Sequence, residues 1–408
     1  MKALVTNAED WVTLAVTRSL GRHGVDVTAA SYRKSAMTFH SRYCSHRMFY
    51  PDPRKVGDSV ADHMLKLVKS NRFDVFFPAQ EDVLIPVAKQ QDKFRQYVRL
   101  PMPDFDTIDK TDDKSRTFRE AMKAGLDIPR TLFMEDLGDL KSAVKDLQFP
   151  ILIKPYRGAG SVGQTVLNSP KNLEEIFRRT VARYGPSMIQ EYVLWDRRYS
   201  FSTIFNEKHE PVRFCLVRSI REYPITGGPL VYSVTVRDDN LKELSLRLMK
   251  SLSWYGIANG AFIVDKRDGR PKFIEINPRF FGSLPLPIAA GVDHPWVLFQ
   301  LAMEEKIKPD LSYRLGVKAR HVFPEDLKYL LDVLRGRPRV SGFRRPGKVR
   351  TMAGFMKIYE KNLTYYVFSK DDPAPFIYDL SHFFHEKYNR VLQKLPRGRR
   401  KGAGKVFK

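Results

Sequence analysis

Two kinds of hydrophobic pattern alternate along the first hundred residues. Short runs rich in β-branched and aromatic residues predict buried strands, and longer stretches with apolar residues at helical spacing predict amphipathic helices. The predicted strands lie at 3–6, 25–28 and 74–77. The predicted helices lie at 11–20, 56–69 and 83–94. This alternation predicts an α/β unit with a parallel sheet and helices on both of its faces.

A glycine-rich loop follows the next predicted strand. Residues 151–155 form an apolar run that carries Lys154, and residues 157–163 then contain three glycines. Glycines let backbone N–H groups approach phosphate oxygens closely, and a neighbouring lysine supplies positive charge. The order differs from the G-x-x-x-x-G-K-[ST] loop, because here the lysine precedes the glycines. It also differs from a G-x-G-x-x-G loop that opens a helix, because 166–167 has the pattern of a returning strand. An ordinary glycine-rich hairpin turn is the alternative.

Two later strand patterns carry polar groups. Residues 188–193 predict a short strand whose edge could contact an adenine, and the acid that follows could contact ribose. In the run 273–279, Glu275, Asn277 and Arg279 fall on one face of a strand, because side chains alternate with a period of two. A carboxylate and an amide oxygen suit Mg²⁺. Taken alone, each stretch also fits a half-buried strand with a polar face.

In their order along the chain, Lys114, Lys154 with its glycine loop, 190–193 and 275–279 resemble the ATP-grasp superfamily. The resemblance covers roughly the first three quarters of the chain. It is closest to carboxylate–amine ligases and to the ATP-binding domains of carbamoyl-phosphate synthetase. It implies an α/β (α+β ATP-grasp) fold, in which a parallel-sheet pre-ATP-grasp domain precedes a two-lobed ATP-grasp domain.

Domain boundaries follow from this resemblance. The expected units are the N-terminal domain at 1–108, the ATP-grasp domain at 109–310 with lobes of about 109–187 and 188–310, and a basic helical extension at 311–408. Disorder at the end of the extension is an open alternative. At 408 residues the chain exceeds what one core normally supports, which favours two or three domains.

The resemblance also implies a nucleotide site. Lys114 and Lys154 would contact the phosphates, and the glycine loop would close over them. Adenine would be held through backbone groups of the strand edge, and Asp196 is the candidate for the ribose. The residues assigned to the strand edge are Glu191, Tyr192 and Val193, and those assigned to the loop are Gly158, Gly160, Ser161 and Gly163.

For the chemistry, the resemblance implies that Glu275 and Asn277 ligate Mg²⁺, with Mn²⁺ as an alternative ion. Arg279 and Lys154 would stabilise charge on the transferring phosphoryl group. Superfamily members usually carry a second acidic ligand about fourteen residues before the glutamate, and here that position is Ala261. Asp265 shares its strand face and is the candidate replacement; a hairpin aspartate without a role is the alternative.

Residues 194–198 are a second departure from the superfamily pattern, because relatives commonly have a glycine and two acids there.

Two further pairs of residues carry charge near predicted ligand positions. Glu81 and Asp82 follow a predicted strand and could contact a second substrate, or could stabilise the start of a helix. Arg218 and Arg221 could bind a substrate carboxylate or phosphate, or could be solvated strand charges.

Composition and charge narrow the protein class. The two cysteines, Cys44 and Cys215, give no disulfide framework, and no apolar stretch reaches membrane-spanning length, so we expect a cytoplasmic protein. The formal net charge is +24, and residues 335–408 hold 19 Lys and Arg against five Asp and Glu. Such a segment suits an anionic membrane surface or a lipid-linked substrate, with an interfacial helix within 365–384. The alternative is a helical extension that packs on the ATP domain.

We therefore predict an ATP-dependent ligase that joins a carboxylate to an amine through an acyl phosphate and releases ADP and phosphate. A catalytically silent ATP-binding protein is one alternative, suggested by Ala261. A peripheral membrane or nucleic-acid adaptor is the other, although no nucleic-acid motif accompanies the basic segment. The sequence names neither substrate and does not indicate an oligomeric state.

Overall fold

The computed structural model describes residues 1–134, 140, 144, 147–158, 162–337 and 346–394. Two residues assigned to the glycine loop, Gly160 and Ser161, lie outside these ranges. Within the basic segment 335–408, residues 338–345 and 395–408 also lie outside them.

The N-terminal region contains a four-stranded parallel sheet flanked by helices. Its elements are β1 (Lys2–Val5), α1 (Trp11–Arg22), β2 (Asp26–Ser31), β3 (His46–Phe49), α2 (Pro53–Val56), α3 (Val60–Asn71), β4 (Val75–Phe77), α4 (Glu81–Lys89), α5 (Gln91–Arg95) and α6 (Phe105–Asp112). The strand order is β3-β2-β1-β4. The predicted parallel sheet is therefore confirmed. The edge strand β3 was missed, because its mostly exposed side chains give it no buried apolar pattern.

A second, antiparallel sheet holds the first part of the predicted nucleotide site. Its elements, with the helices beside it, are α7 (Lys114–Lys123), β5 (Thr131–Met134), β6 (Ile151–Pro155), β7 (Thr165–Leu167), α8 (Leu173–Tyr184) and β8 (Ser187–Glu191). The strands lie in the order β5-β8-β6-β7. The predicted return of the chain after the glycine loop is confirmed, because β7 pairs antiparallel with β6.

The third sheet is the largest, with seven strands in the order β13-β12-β9-β10-β11-β14-β15. Its elements and attached helices are β9 (Trp195–Phe205), β10 (Pro211–Glu222), β11 (Leu230–Thr235), α9 (Asp239–Ser251), β12 (Gly256–Asp265), β13 (Pro271–Asn277), α10 (Pro285–Ala289), α11 (His294–Ala302), β14 (Lys318–Arg320), α12 (Leu327–Leu334), α13 (Lys348–Met356), β15 (Leu363–Tyr365) and α14 (Ala374–Lys394).

The C-terminal segment is part of this sheet and is not purely helical, which corrects the prediction for 311–408. Strand β14 pairs antiparallel with β11, and β15 pairs parallel with β14. The segment also contacts the N-terminal region through a buried ion pair, in which Arg18 Nε lies 2.9 Å from Asp372 Oδ2. Ser41 Oγ donates to the same carboxylate at 2.6 Å. These contacts support the alternative of a packed extension, while the exact domain boundaries stay a prediction.

Across the described ranges, no helix has both the length and the apolar character that a membrane span needs.

Candidate active site

Three neighbouring strands of the large sheet form the floor of a cavity. Strand β12 lies between β9 and β13, and in this register Ala261 pairs with Ser200 on one side and with Glu275 on the other. Two residues along, Asn259 pairs with Asn277. Directly paired residues share a face of a sheet, so the side chains of all five residues point the same way. Four of these five side chains are polar, and Glu275 and Asn277 lie on the edge strand β13.

The cavity over this floor has a volume of about 340 Å³, which is in the range of small-ligand sites. It lies where the antiparallel sheet meets the large sheet, because β6 and β8 line one wall and β9, β12 and β13 line the other. The predicted site residues that line it are Lys154, Glu191, Tyr192, Val193, Glu275, Asn277 and Arg279. The meeting of the two sheets thus brings Lys154, the predicted adenine edge and the predicted metal ligands to one cavity.

Two lysines interact with Glu275, and of these Lys154, on the antiparallel sheet, lines the cavity. Lys154 is buried, and its Nζ donates to the carbonyl of Ile274 at 3.2 Å. Burial lowers the pKa of Lys154 to about 7, although the nearby Glu275 carboxylate opposes that shift. Lys114 begins α7, and its Nζ donates to the carbonyl of Gly158. Burial lowers the pKa of Lys114 as well, and Glu275 again opposes the shift.

The carboxylate of Glu275 is held by a guanidinium. Arg198 Nη2 donates to Glu275 Oε1 at 3.2 Å, and the same side chain pairs with Glu222 at 3.0 Å. Burial raises the pKa of Glu275, but the charges of Arg198 and the two lysines outweigh burial and hold the pKa below its usual value. The side chain is still 30% exposed, so one face of the carboxylate remains open to the cavity.

Arg279 connects this site to the N-terminal region. Its Nε lies 2.5 Å from Oε1 of Glu81, the first residue of α4, and its Nη1 donates to the carbonyl of Phe280 at 2.8 Å. Asp82 accepts from Asn7 Nδ2 at 3.0 Å instead. Glu81 therefore serves as a partner of Arg279 at the carboxyl edge of the parallel sheet, which is where such sheets bind ligands.

The described ends of the glycine loop show why glycine is needed there. Gly158 has φ +107° and Gly163 has φ +75°, in the region that L side chains rarely adopt. At Gly163 a Cβ would also lie 2.8 Å from Cγ of Pro155 and 3.0 Å from the ring of Tyr184. The loop therefore returns tightly against the strand that carries Lys154.

The strand edge predicted for adenine ends β8. The amide of Glu191 donates to the carbonyl of Arg130 at 2.8 Å, and the amide of Tyr192 donates to Pro150 at 3.1 Å. The Tyr192 hydroxyl reaches the carbonyl of Thr226 at 3.2 Å, which connects this edge to the loop between β10 and β11. Val193 is buried at the cavity wall.

The structure does not bring Asp265 to the metal position, which corrects the prediction of a third ligand. Its carboxylate accepts hydrogen bonds from the backbone N–H of Arg267 at 2.9 Å and from the guanidinium of Arg267, at 3.0 Å to Oδ1 and 2.6 Å to Oδ2. Arg267 also pairs with Glu191. Asp265 is four residues beyond Ala261 on β12, which is about 13 Å along an extended strand. Asp265 shares a strand face with Ala261, as predicted, but it lies at the end of β12, away from Glu275.

Two other predicted contacts also lie elsewhere. Asp196 is exposed and does not line the cavity; its Oδ1 lies 3.5 Å from Nε of Arg197. Arg221 is buried, and its Nη1 forms an ion pair with Asp326 at 3.1 Å. Arg218 is exposed on β10. None of these side chains is placed to bind a ligand in the cavity.

Arg198 is the main functional residue that was missed. In the sequence it is one of five residues in a departure from the superfamily pattern, and its charge alone assigns no role. The available signal was parity, because Arg198 falls on the same face of β9 as Ser200. Only the pairing of β9 with β12 brings that face next to Glu275.

Few of the described side chains around the cavity could bind a metal ion. Within the described part of the chain, no group of three or more His, Cys, Asp and Glu side chains is arranged to hold a metal ion. The two predicted ligands on the floor offer the carboxylate of Glu275 and the amide oxygen of Asn277, whereas the other polar floor residues are bonded to each other, with Asn259 Nδ2 donating to Ser200 Oγ at 2.8 Å. This set fits a cation such as Mg²⁺, which binds few protein ligands and completes its coordination with water and phosphate oxygens.

Comparison with known proteins identifies the domain that contains this site. Residues 111–283 match the family model described as an ATP-grasp domain. The matched segment begins just before Lys114 and ends just after Arg279, so it includes both lysines, the glycine loop and the floor of the cavity. The predicted ATP-grasp resemblance is therefore confirmed.

Two curated relatives and one solved structure show how far the similarity extends. The carbamoyl phosphate synthase large chain of Campylobacter jejuni is 22% identical over 328 residues, covering 76% of this chain and 29% of that protein. A formate-dependent phosphoribosylglycinamide formyltransferase of Ignicoccus hospitalis is 24% identical over 384 residues, covering 84% and 92%. This chain thus spans less than a third of the carbamoyl phosphate synthase and nearly all of the formyltransferase.

Among solved structures, the biotin carboxylase domain of Hydrogenobacter thermophilus 2-oxoglutarate carboxylase has a TM-score of 0.64 and 17% identity. The match covers 78% of this chain and 73% of that one. That domain was crystallised with MgADP, ADP and bicarbonate. The similarity confirms the ATP-grasp fold, including the mixed arrangement of a parallel N-terminal sheet and two further sheets.

Proposed function

Residues 111–283 form an ATP-grasp domain, and on this premise we propose that the protein is an ATP-dependent ligase that joins a carboxylate to an amine. The observation that carries this proposal is the convergence of Lys154, Glu275, Asn277 and Arg279 on one cavity. Lysine and arginine provide positive charge for phosphates and for a developing anion, and the two oxygen side chains suit a cation. Phosphoryl transfer needs this kind of positioning and electrostatic stabilisation.

In this proposal the antiparallel sheet binds the nucleotide. The strand edge at Glu191, Tyr192 and Val193 would hold adenine, chiefly through backbone groups. Lys114 and Lys154 would contact the phosphates, with the loop that begins at Gly158 above them. Lys154 supports this role because it is a buried amine that interacts with the Glu275 carboxylate, which is also engaged by Arg198. An incoming phosphate would provide the negative charge that its environment lacks.

Glu275 and Asn277 would hold Mg²⁺, the ion present with ADP in the similar biotin carboxylase domain. When bound, Mg²⁺ would neutralise part of the charge on the phosphate oxygens. Ala261 offers no ligand between Ser200 and Glu275, and Arg198 instead supplies a fixed positive charge at this side of the carboxylate. The chain's own arrangement therefore favours one metal ion rather than two.

The proposed reaction has two steps. A carboxylate oxygen of the first substrate attacks the γ-phosphorus, the bond to the β-phosphate oxygen breaks, and ADP leaves. The amine of the second substrate then attacks the acyl carbon of the acyl phosphate and forms the C–N bond. The bond between the acyl carbon and the phosphate oxygen breaks, and inorganic phosphate leaves with the proton that the amine loses. Arg279 would stabilise the acyl phosphate, and its ion pair with Glu81 would keep the guanidinium at the cavity edge.

The experiment is a screen of ADP release from Mg-ATP with pools of carboxylic acids and amines. Hydroxylamine is included, because it converts an acyl phosphate into a stable hydroxamate. We expect ADP release that depends on one carboxylate, and loss of it in Glu275→Ala. The matched control is Glu207→Ala, which removes an exposed glutamate from the turn between β9 and β10.

The alternative of a silent nucleotide binder makes a different prediction in the same assay. It would bind ATP with an affinity that falls in Lys154→Met, yet release no ADP with any carboxylate in the pools. Equal ADP release by the wild type and by Glu275→Ala would contradict the ligase proposal, because the carboxylate of Glu275 would then have no role in turnover.

A further inference from the structure

The solvent side of α13 is apolar. Val349, Met352 and Met356 are 76%, 49% and 67% exposed, and Ala353 between them is exposed too. Their spacing of three and four residues puts them on one face of the helix. Amphipathic helices of globular proteins normally turn such a face towards the core. Here the apolar face of the helix is turned outward.

The opposite side of α13 is fixed to the protein by buried cations. Arg320 donates to the carbonyls of Phe355 at 2.9 Å and Lys357 at 3.0 Å, and its guanidinium lies 4.9 Å from the centre of the Phe355 ring. Arg221 donates to the carbonyl of Gly354 at 3.3 Å. These bonds satisfy the last carbonyls of the helix, so its rotation about its own axis is set by the protein interior.

The apolar surface continues past the end of the helix. Ile358 is exposed, and Tyr359 is 94% exposed. The residues on both sides are held, because Tyr365 donates to the backbone carbonyl of Ile358 and the side-chain carboxylate of Glu360 accepts from the hydroxyl of Tyr232 at 2.8 Å. Tyr359 therefore protrudes from an anchored turn.

Exposed cations surround these side chains. They are Lys348, Arg350, Lys357 and Lys361. The one acid within 346–361 is Glu360, and Lys318 already forms an ion pair with it. We call the set of Val349, Met352, Met356, Ile358 and Tyr359 with its four surrounding cations the basic apolar surface.

We propose that the basic apolar surface binds the interface of a lipid bilayer that contains anionic headgroups. The apolar side chains would enter the boundary between headgroups and acyl chains, Tyr359 would lie at headgroup level, and the four cations would contact the phosphates. A chain with a net charge of +24 is attracted to such a surface as a whole. The proposal is independent of the ligase reaction.

A second copy of the chain fits this surface less well than a bilayer does. In a twofold dimer the same patch faces itself, so the four cations of one copy would meet the four cations of the other. Like charges in contact oppose association, whereas an anionic bilayer supplies the opposite charge along with an apolar interior. Charge complementarity therefore selects the bilayer as the occupant.

The test is co-sedimentation of the full chain with vesicles of phosphatidylcholine, with and without phosphatidylglycerol. We expect binding to the anionic vesicles, weakened about tenfold by Met352→Glu, which puts a charge on the apolar face. Replacing one cation, as in Arg350→Gln, should weaken binding about fivefold. Met122→Glu is the matched control, because Met122 is the same residue type, is 45% exposed and lies on α7.

ATP affinity and thermal unfolding are measured for each variant, so that loss of vesicle binding can be separated from loss of the fold. No binding to anionic vesicles by the wild type would overturn the proposal. So would equal binding by Met352→Glu and Met122→Glu. Light scattering provides the last comparison: a dimer that dissociates in Met352→Glu would assign the surface to a second copy and reject the bilayer.

Discussion

Arg198 on β9 and Glu275 on β13 form an ion pair across the intervening strand β12, with Nη2 and Oε1 3.2 Å apart. The pair crosses β12 beside Ala261, whose small side chain leaves the space between them open. Arg198 also donates to the carbonyl of Gly228 at 3.0 Å, in the loop between β10 and β11. One guanidinium thus connects the proposed metal ligand to a loop that lines the cavity.

Replacing Arg198 should change the acid limb of the pH profile. Arg198 is the foremost charge holding the pKa of Glu275 below its usual value, so Arg198→Ala should raise that pKa. Because the carboxylate must be ionised to hold a cation, we expect the acid limb of Mg-dependent ATP turnover to move to higher pH.

Arg198→Lys is the matched variant, since it keeps the positive charge and loses the planar guanidinium group with its several N–H donors. It should give an acid limb between those of the wild type and Arg198→Ala. An unchanged acid limb in Arg198→Ala would show that the guanidinium does not control the ionisation of Glu275.

ATP binding should depend on the ionisation of Lys154. In the absence of nucleotide its pKa is about 7, so the amine is largely neutral above that pH. Phosphates favour the ammonium form, so binding above pH 7 should be accompanied by proton uptake and should weaken as the pH rises. Calorimetry in buffers with different ionisation enthalpies measures this proton directly.

The control is Lys154→Met, which should bind ATP weakly and show no such proton uptake. The same variant should unfold at a higher temperature without nucleotide at neutral pH. The reason is that the pKa of Lys154 in the folded protein lies below its value of 10.5 in the unfolded chain. Between pH 10.5 and 7 the unfolded chain holds a proton on Lys154 that the folded protein does not. The free energy of unfolding therefore decreases as the pH falls from 10.5 towards 7. A lower unfolding temperature for Lys154→Met would contradict this.

Two buried histidines should make the protein sensitive to acid. Burial lowers the pKa of His294 and of His321 to about 3, below the value of 6.5 expected for the unfolded chain. The unfolded state therefore binds more protons between pH 6.5 and 3, and stability should fall with decreasing pH in that window. Each histidine contributes about 1.4 kcal/mol per pH unit once the unfolded form is fully protonated.

The measurement is chemical denaturation at several pH values. His294→Gln should lose part of this slope, although it also alters the 2.8 Å contact between His294 and Ser202. The exposed residue His63 provides the comparison, and His63→Gln should follow the wild-type curve. Parallel curves for all three proteins would rule out a contribution from His294.

Removing Asp326 should destabilise the C-terminal segment. Its carboxylate lies 2.5 Å from Arg320 Nε and 3.1 Å from Arg221 Nη1, and all three side chains are buried. Asp326→Ala would leave two buried guanidinium groups without their anion, which typically costs about 3–5 kcal/mol. Urea denaturation measures the free energy of unfolding.

The exposed pair of Arg237 and Asp239 gives a matched control, and Asp239→Ala should leave the unfolding free energy unchanged within error. Because both arginines also bind carbonyls of α13, vesicle binding should weaken in Asp326→Ala. An unfolding free energy equal to that of the wild type would show that the buried cluster is not coupled to the fold.

Much of the fold could be predicted because strands and helices each give a regular spacing of apolar residues along the sequence. Alternation by two and by helical spacing located the strands and helices of the N-terminal sheet, and the order of the site segments indicated an ATP-grasp domain, which the comparisons confirm. Strand β3 was missed, since an exposed edge strand has little apolar pattern. The strands β14 and β15 were missed because each has only three residues and gains its pairing from the large sheet.

The sequence by itself determined which face of a strand each site residue occupies. The covalent geometry of a strand sends alternate side chains to opposite faces, so Glu275 and Asn277 had to lie together. The glycines at 158 and 163 likewise permit the positive φ angles that the backbone has at these two positions. The tertiary structure decided which strands lie side by side and in which register. Hydrogen bonds between distant segments set that register, and they placed Ala261 beside Glu275 and Arg198 within reach of Glu275. Because Glu275 is paired with Ala261, Asp265 lies four residues, about 13 Å, away along β12.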